Sequence, residues 1–282
     1  MEQDFKIERK IFLNLKTGWF DNSKGKSNMV LAKDITREPI QGRYRLNLND
    51  NILRVQEFFF DVEWGPFTED GKKISLITKD IVNAYFPRLK RAAKKLLFIV
   101  LKYVPKDCIY IRVSGTGLHI IFFGQGLENM DEFMQVTKYF IFKSKLQNTK
   151  NADKLFFGLD KDTILSSDRK IAEFGSWNKL KKDFKEEVDY LNYATYLSVD
   201  DFFKAKTYPF CEKYEDVKYP VRYKTFIIPE ELYEDAKNAN LENAEDVQLS
   251  TNSIPTTEQN RYGIELNKSS KRLIVEYKGN IP

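Results

Sequence analysis

The 282-residue sequence is poor in the residues from which several common kinds of site are built. It has one histidine and two cysteines, Cys108 and Cys211, which are far apart and form no Cys-x-x-Cys pair. We therefore expect neither a disulfide framework nor a zinc site of cysteine and histidine, and the chain is predicted to be intracellular, in the cytoplasm. The first residues contain no apolar run, and charges interrupt every apolar stretch well before about 18 residues, so neither a signal peptide nor a membrane span is predicted.

The composition is that of a folded protein with a modest positive charge. Apolar residues make up 42% and aromatic residues 14%, which is enough for a sizeable core in one large domain or one domain with an appendage. The net charge of +5 is compatible with a nucleic-acid partner without requiring one. We predict a principal domain over residues 1–205 and an extension over residues 206–282, in which the polar stretch 238–261 is linker-like.

Hydrophobic periodicity predicts alternating strands and helices through the middle of the chain, and hence a mixed α/β (α+β) fold. The clearest helix is 78–103, in which Pro87 either opens the main part or produces a kink. Its apolar stripe consists of Leu89, Ala93, Leu96, Leu97 and Val100. The other predicted elements are strands at 57–64, 108–123 (two strands joined by a glycine turn), 154–160, 171–174 and 273–277, and helices at 131–146 and 199–206.

Two acids lie one residue apart in the first of these strands. Asp61 and Glu63 point to the same face, roughly 7 Å apart at Cα, because side chains alternate along a strand. The apolar residues around them indicate a buried strand, in which two like charges repel each other and lose hydration. A hard divalent cation such as Mg²⁺ or Mn²⁺ would resolve that conflict. The competing interpretation is a strand end that emerges into solvent.

The single histidine follows a glycine turn between two apolar strands. Ser114, Gly115, Gly117 and His119 belong to the sequence Ser-Gly-Thr-Gly-Leu-His. The glycines allow backbone N–H groups to approach a ligand closely, as in the nests that bind phosphate oxygens. The strand carrying His119 is apolar on both faces, which indicates a central strand. The competing interpretation is a core histidine in a tight hairpin.

A third carboxylate and several basic residues follow further along the chain. Asp160 directly ends the apolar run 156–159, and we prefer it to its neighbour Asp162 for that reason. Arg169 comes nine residues later, followed by Ser176 and Lys179. Three acids that hold metal, with basic side chains aimed at a triphosphate, are the components that phosphoryl transfer needs. The competing interpretation of the basic residues is an ordinary solvated face.

Together these segments resemble the archaeo-eukaryotic primase superfamily, also called primase-polymerases. The first motif of that family is an apolar strand with Asp-x-Asp or Asp-x-Glu, which residues 60–63 match, and the second is a serine–glycine turn ending in histidine, which residues 114–119 match. The third is an apolar run ending in Asp, followed by an Arg-Leu-x-Arg-x-Pro-Gly-Ser-x-x-x-Lys-like stretch on which residues 169–179 fall without a gap. The resemblance covers about residues 58–182.

The resemblance implies a mixed β-sheet core flanked by helices, with an RRM-like half, and an activity as a DNA primase or DNA polymerase. It implies that two ions, Mg²⁺ or Mn²⁺, are held by Asp61, Glu63 and Asp160. The nucleotide-binding residues that it implies are Ser114, Gly115, Gly117, His119, Arg169, Ser176 and Lys179. The implied partners are a single-stranded or primed DNA template, nucleoside triphosphates and a helicase in cis or in trans, with no membrane.

The chain departs from the family pattern at three points. The second arginine of the third motif falls at Ala172, and the proline before Gly-Ser falls at Phe174. The zinc-binding stem of many members lacks its ligands here, so no zinc is expected. These departures affect one phosphate or template contact and the contacts of the zinc stem, but not the three carboxylates.

Two other functions share parts of this signature. A DEDD-type 3′–5′ exonuclease also begins with Asp-x-Glu on an apolar strand, and Tyr196 to Asp200 matches its last motif, although its middle Asn-x-x-x-Phe-Asp element is missing. A non-catalytic subunit that binds single-stranded nucleic acid would use a basic helix face. That face consists of Lys90, Arg91, Lys94, Lys95 and Lys102. A phosphate-binding loop ending at Gly25-Lys26-Ser27 is excluded, because its first glycine would have to replace Phe20.

Overall fold

The structure is a computed structural model that describes residues 56–65, 68–149, 154–165, 174–176 and 190–239, with the backbone alone at Met130 and at six short strands outside these ranges. The strands are β1 Gln3–Phe5, β2 Glu8–Arg9, β3 Gly42–Tyr44, β4 Gln56–Trp64, β5 Leu76–Ile77, β6 Ile109–Val113, β7 Leu118–Gln125, β8 Phe157–Leu159, β9 Lys170–Ala172, β10 Glu187–Val188, β11 Thr195–Leu197, β12 Tyr223–Ile227 and β13 Val275–Glu276. The helices are α1 Lys79–Val100, α2 Met130–Ser144, α3 Lys161–Leu165, α4 Val199–Lys204 and α5 Glu230–Asn238.

Seven of the strands form one mixed, mostly antiparallel sheet around β7. β4 pairs with β7 along most of its length, and β8 pairs with the end of β4. On the other side of β7, the first part pairs with β6 and the last part pairs in parallel with β12. β11 extends the sheet beyond β6, and β1 extends it beyond β12. The histidine strand is therefore central, as its two apolar faces predicted.

Helices α1 and α2 cover one face of this sheet. Thr78 is the N-cap of α1, and its hydroxyl accepts the backbone N–H of Ile81 (3.3 Å). The helix continues through Pro87, which lies inside it and not at its start. Every residue of the predicted apolar stripe of α1 is buried, in the same core cluster as Phe58 and Phe60 of β4. Each large apolar side chain buried in this way contributes about 1.5–3 kcal/mol to stability. The predicted helix and the predicted strand thus stabilise each other.

The opposite face of the sheet carries a smaller cluster of mostly aromatic residues. It consists of Phe59, Tyr110, Ile121, Phe123, Phe174 and Tyr223, with Tyr196 and Tyr219 packed against it. Because side chains alternate along β4, its residues 59, 61 and 63 belong to this face. The candidate site residues therefore lie on the sheet face that α1 and α2 do not cover.

Strand β12 and helix α5 come after the predicted domain boundary at residue 205, and both belong to the same folded unit. β12 pairs with the central strand β7, and α5 packs against α2. The side-chain amide of Gln135 donates to the carbonyl of Ala236 (3.2 Å), and the hydroxyl of Tyr233 donates to Glu132 (3.2 Å). Residues 238 and 239 of the linker-like stretch 238–261 are described, and the rest of that stretch lies outside the described residues.

Most of the remaining predicted elements are present with shifted ends. The predicted strand 154–160 is reduced to β8, because Asp160 begins helix α3: its carboxylate accepts the backbone N–H of Thr163 (3.1 Å). The predicted helices 131–146 and 199–206 correspond to α2 and α4, and the strands 171–174 and 273–277 to β9 and β13. None of the helices in the described part of the chain is long and apolar enough to cross a membrane.

Candidate metal centre

Two of the predicted site acids lie side by side at the end of β4. Phe58, Phe60 and Val62 are fully buried beneath the helices, so Asp61 and Glu63 project from the opposite face of the sheet. Both acids are half-buried. The strand does not end in open solvent at this point, since the pairing of β4 with β8 continues to its last residue, opposite Phe157.

Pairing of β8 with β4 brings the third predicted acid to the first two. The register places Leu159 opposite Val62, and the backbone N–H of Asp160 donates to the carbonyl of Asp61 (3.0 Å). One carboxylate oxygen from each of Asp61, Glu63 and Asp160 lies within 4.8 Å of the others. Asp162, the competing candidate, is exposed and accepts a hydrogen bond from the side chain of Asn148 (3.4 Å).

Two threonines orient two of these carboxylates. The hydroxyl of Thr149 donates to Glu63, and the backbone N–H and hydroxyl of Thr163 donate to the two oxygens of Asp160 at 3.1 and 2.8 Å. Such hydrogen bonds favour the charged form of a carboxylate. Sequence reasoning missed both. Thr163 carries a signal, because an acid three residues before it is a common helix N-cap, whereas Thr149 lies 86 residues from Glu63 with no signal.

The three carboxylates form a donor set that suits a hard divalent cation. They place three like charges close together, and Asp160 is only 4% exposed. Groups of this kind do not all ionise together unless a cation compensates them. A set of oxygen ligands without cysteine or histidine matches Mg²⁺ or Mn²⁺ better than zinc. Asp61, Glu63 and Asp160 are therefore the residues that could hold the predicted ions.

His119 lies directly opposite Asp61 in the pairing of β4 with β7. Its Nε2 is 3.4 Å from Oδ1 of Asp61, and its Nδ1 accepts hydrogen bonds from Nε (2.9 Å) and Nη2 (2.6 Å) of Arg112. Burial lowers the pKa of His119 well below its usual value, the Arg112 cation lowers it further, and the charge of Asp160 opposes them. The imidazole is therefore neutral, with its proton on Nε2, facing the acids.

The glycine turn before His119 is held by three aromatic side chains that are distant in sequence. Gly115 has φ 103°, a conformation that favours glycine. A Cβ at Gly117 would lie 3.0 Å from the carbonyl oxygen of Val62, so the turn also approaches β4 closely. The aromatic donors are Tyr190 to the carbonyl of Gly115 (3.1 Å), Trp64 to that of Thr116 (3.1 Å) and Tyr208 to that of Gly117 (2.8 Å).

Within the described residues, these contacts involve only the carbonyl side of the turn. The carbonyls of residues 115–117 are satisfied inside the protein, and no acceptor for the N–H groups of these residues occurs among those that the structure describes. Successive N–H groups in a glycine turn can bind phosphate oxygens. Ser114, at the start of the turn, donates its own N–H to the carbonyl of Gly117 (3.3 Å).

Replacing Tyr208 by phenylalanine is expected to destabilise the protein by about 1–2 kcal/mol, because a buried carbonyl loses a hydrogen bond. Burial raises the pKa of Tyr208 well above its usual value, so the hydroxyl stays protonated and donates to Gly117. Urea denaturation measures the change. Tyr214→Phe is the control, because its side chain is exposed and, among the described residues, its hydroxyl accepts a hydrogen bond only from the Tyr219 hydroxyl (3.4 Å). Equal effects of the two substitutions would contradict a role of Tyr208 in holding the turn.

The third predicted motif is only partly within the described residues. Arg169 and Lys179 lie outside them. Ser176 is buried, and its carbonyl accepts the backbone N–H of Ala194 (2.6 Å), which fixes this segment to the chain before β11. Phe174, at the position of the family's proline, packs against the Arg112 guanidinium (5.6 Å from the ring centroid).

Sequence reasoning also missed Arg112, although a signal was present. It is the one charge in the apolar strand β6, and it is fully buried. The structure brings together Asp61, Glu63, Asp160, His119 and the glycine turn, with Arg112 behind the histidine. Comparison of the chain with protein-family models, with curated proteins and with solved structures found no match.

Proposed function

We propose that this protein is a template-directed nucleotidyltransferase of the primase-polymerase type, a DNA primase or DNA polymerase. It would join nucleoside triphosphates to a 3′-hydroxyl and release pyrophosphate. One observation carries the proposal: two acids of β4 and a third acid directly after β8 converge beside a glycine–histidine turn. A carboxylate group for metal next to donors for phosphate is the arrangement that phosphoryl transfer requires.

The connectivity of the sheet supports the same proposal. Apart from the short strand β5, which lies outside this sheet, the chain from β4 to β8 runs β4, α1, β6, β7, α2, β8, that is β-α-β-β-α-β, and the four strands lie in the order β8-β4-β7-β6. This is the split βαβ arrangement of ferredoxin-like and RRM-like domains. An RRM-like half is what the resemblance to primase-polymerases implies. The acids and the histidine lie on the sheet face that the helices leave uncovered.

In this proposal the residues divide into two groups. Asp61, Glu63 and Asp160 would hold two ions, Mg²⁺ or Mn²⁺. The bound metal supplies a lowered pKa for the attacking 3′-hydroxyl and compensates charge on the phosphates. His119 donates its Nε2–H to a phosphate oxygen, and the N–H groups of the turn 115–117 bind further phosphate oxygens. Arg169 and Lys179 are proposed to contact the triphosphate.

No specific observation favours the exonuclease alternative. Asp200, which would supply the last carboxylate of that site, is exposed and pairs with Lys106 (2.9 Å). Tyr196 packs in the aromatic cluster of the sheet, near Tyr110 and Phe174. Neither residue lies with the three acids that could hold metal.

The basic helix face gives the binding-subunit alternative little support. Nζ of Lys90 donates to the carbonyls of Phe203 and Ala205, and Lys102 pairs with Glu231 (3.1 Å) and Asp235 (3.3 Å). Lys90 and Lys102, two of the five residues of that basic face, therefore have partners within the protein. Helix α1 also covers the sheet face opposite to the acids.

A primer-extension assay tests the proposed function. We expect a labelled primer on a longer template to be extended when the protein is supplied with Mn²⁺ or Mg²⁺ and deoxynucleotides or ribonucleotides. A reaction without primer tests whether the protein also starts chains. Chelation of the metal is expected to stop incorporation, since the carboxylates act through it.

The same assay separates the alternatives. Primer shortening in the absence of nucleotides would indicate an exonuclease. Salt-sensitive binding of single strands without any incorporation, unchanged by substitutions of Asp61 or Glu63, would indicate a binding subunit. Failure to extend with either nucleotide type and either metal would overturn the proposed function.

A further inference from the structure

Arg112 is the largest fully buried side chain of the described residues, and the proposed function does not use it. It lies in β6 directly opposite His119 in the pairing with β7. Removing an arginine from water is costly, by several kcal/mol per ion even after relaxation. Arg112 is buried in spite of this cost, and it lies on the strand next to His119, whose ring faces the acids. Its position therefore requires a physical explanation.

The guanidinium is directed at one atom of the imidazole. Its Nε and Nη2 lie 2.9 and 2.6 Å from Nδ1 of His119. Two aromatic rings enclose the guanidinium, since the centroids of Phe59 and Phe174 are 5.8 and 5.6 Å from its central carbon. Phe59 also packs on the histidine ring (4.9 Å between centroids). The arginine and the imidazole are therefore held together by packing as well as by hydrogen bonds.

This contact determines where the imidazole carries its proton. A guanidinium has donors only, so the nitrogen that it meets must be an acceptor. Nδ1 of His119 therefore has no proton, and the N–H of the neutral ring is at Nε2. Nε2 is the nitrogen 3.4 Å from Asp61, at the edge of the acid group.

We propose that Arg112 is a positioning residue: it keeps the proton of His119 on Nε2 and directs that N–H toward the acids, where a phosphate oxygen of the nucleotide accepts it. The identity of the acceptor as a phosphate rests on the proposed function, whereas the position of the proton does not. Arg112 itself does not touch the substrate, because it lies behind the imidazole and is fully buried.

Nitrogen-15 NMR of the metal-free protein tests the position of the proton directly. Because the chain has one histidine, its two ring signals need no assignment against others. We expect a proton bound to Nε2, and a scalar coupling across the N–H···N hydrogen bond between Arg112 and Nδ1. A proton on Nδ1 in the unsubstituted protein would overturn the inference. This measurement needs no variant, so misfolding cannot obscure it.

Two variants test the role toward phosphate. Arg112→Met keeps an unbranched side chain that reaches the position of Nε but has no donor, and Arg112→Gln places one N–H donor at that same position, within reach of Nδ1. With inorganic pyrophosphate and Mg²⁺ as the probe, followed by the Nε2 signal, we expect Arg112→Met to weaken binding about tenfold, the value of one hydrogen bond to a charged group. Arg112→Gln is expected to recover part of the affinity.

Arg91→Met is the matched control, because it removes the same charge from the exposed surface of α1. Equal affinity for pyrophosphate in Arg112→Met and in the Arg91→Met control would overturn the inference. If the unsubstituted protein carries the Nε2 proton and the coupling but incorporates no nucleotide, the proposed function fails and the positioning of the proton stands. If it incorporates nucleotides but Arg112→Met has an unchanged KM, the inference fails and the proposed function stands.

Discussion

Replacement of Asp61 by asparagine or of Glu63 by glutamine is expected to lower nucleotide incorporation by about a thousandfold or more, because a metal site contributes several kcal/mol to such reactions. Each amide has the shape of the acid that it replaces and removes one negative charge. Glutamine at position 63 still presents an oxygen to the Thr149 hydroxyl. The loss should therefore come from the missing charge. Primer extension under single-turnover conditions measures it.

The stability of these variants is not expected to fall with their activity. Without divalent ions, three carboxylates with oxygens within 4.8 Å repel one another, so removal of one is expected to leave the melting temperature unchanged or higher. Added Mn²⁺ should stabilise the unsubstituted protein by binding to its folded state, and should stabilise the variants less. Thermal unfolding with Mn²⁺ and with a chelator measures both effects.

Asp162→Asn is the matched control for both measurements. It removes the same charge from the exposed position two residues after Asp160, where the carboxylate contacts Asn148 and not the acid group. We expect it to retain incorporation and the stabilisation by Mn²⁺. Full activity of Asp61→Asn, or an equal loss in Asp162→Asn, would contradict the assignment of the three acids.

Gly158→Ala is expected to destabilise the protein by about 3 kcal/mol, at the upper end of the cost of overpacking. A Cβ at this position would lie 2.3 Å from the carbonyl oxygen of Gln147, which accepts the N–H of Leu159 (2.9 Å). The obstacle is backbone, so no side-chain rotation can relieve the contact. Chemical denaturation measures the cost.

The same substitution should also impair the site. Gly158 lies opposite Glu63 in the sheet and two residues before Asp160, so a displaced β8 changes the distance between two of the acids. Misplacement of reacting groups by about 1 Å can cost roughly a hundredfold in rate. We therefore expect the folded fraction of Gly158→Ala to lose incorporation as well as stability.

Gly124→Ala is the control, because it adds the same methyl group to the same sheet. There the Cβ would meet Cδ1 and Cγ1 of Ile228 at 2.8 and 2.9 Å and the Phe58 ring at 3.1 Å, which are side-chain atoms and not backbone. A loss of about 1 kcal/mol is expected, with incorporation by the folded protein retained. If both variants lose stability equally, the backbone contact at Gly158 is not the reason for the loss.

Much of the fold, and the placement of two of the three acids of the site, follow from local patterns in the sequence. The alternation along β4 places Asp61 and Glu63 on one face whatever the rest of the chain does, since neighbouring side chains on a strand point to opposite sides. The apolar run on both faces of β7 predicted its central position, and the stripe on α1 predicted its buried side. Each of these properties depends on residues close together in the chain.

Only the tertiary structure decided which distant groups meet. The register between β4 and β8 brings Asp160 to the first two acids and leaves Asp162 exposed, a choice that position after an apolar run could suggest but not determine. Two of the three aromatic donors to the glycine turn, Tyr190 and Tyr208, lie 75 and 91 residues from their acceptors. The proton of His119 is set by Arg112 through the pairing of β6 with β7. Contacts of this kind depend on which strands pair across long stretches of chain and on how their side chains pack, and residues close together in the chain do not determine either.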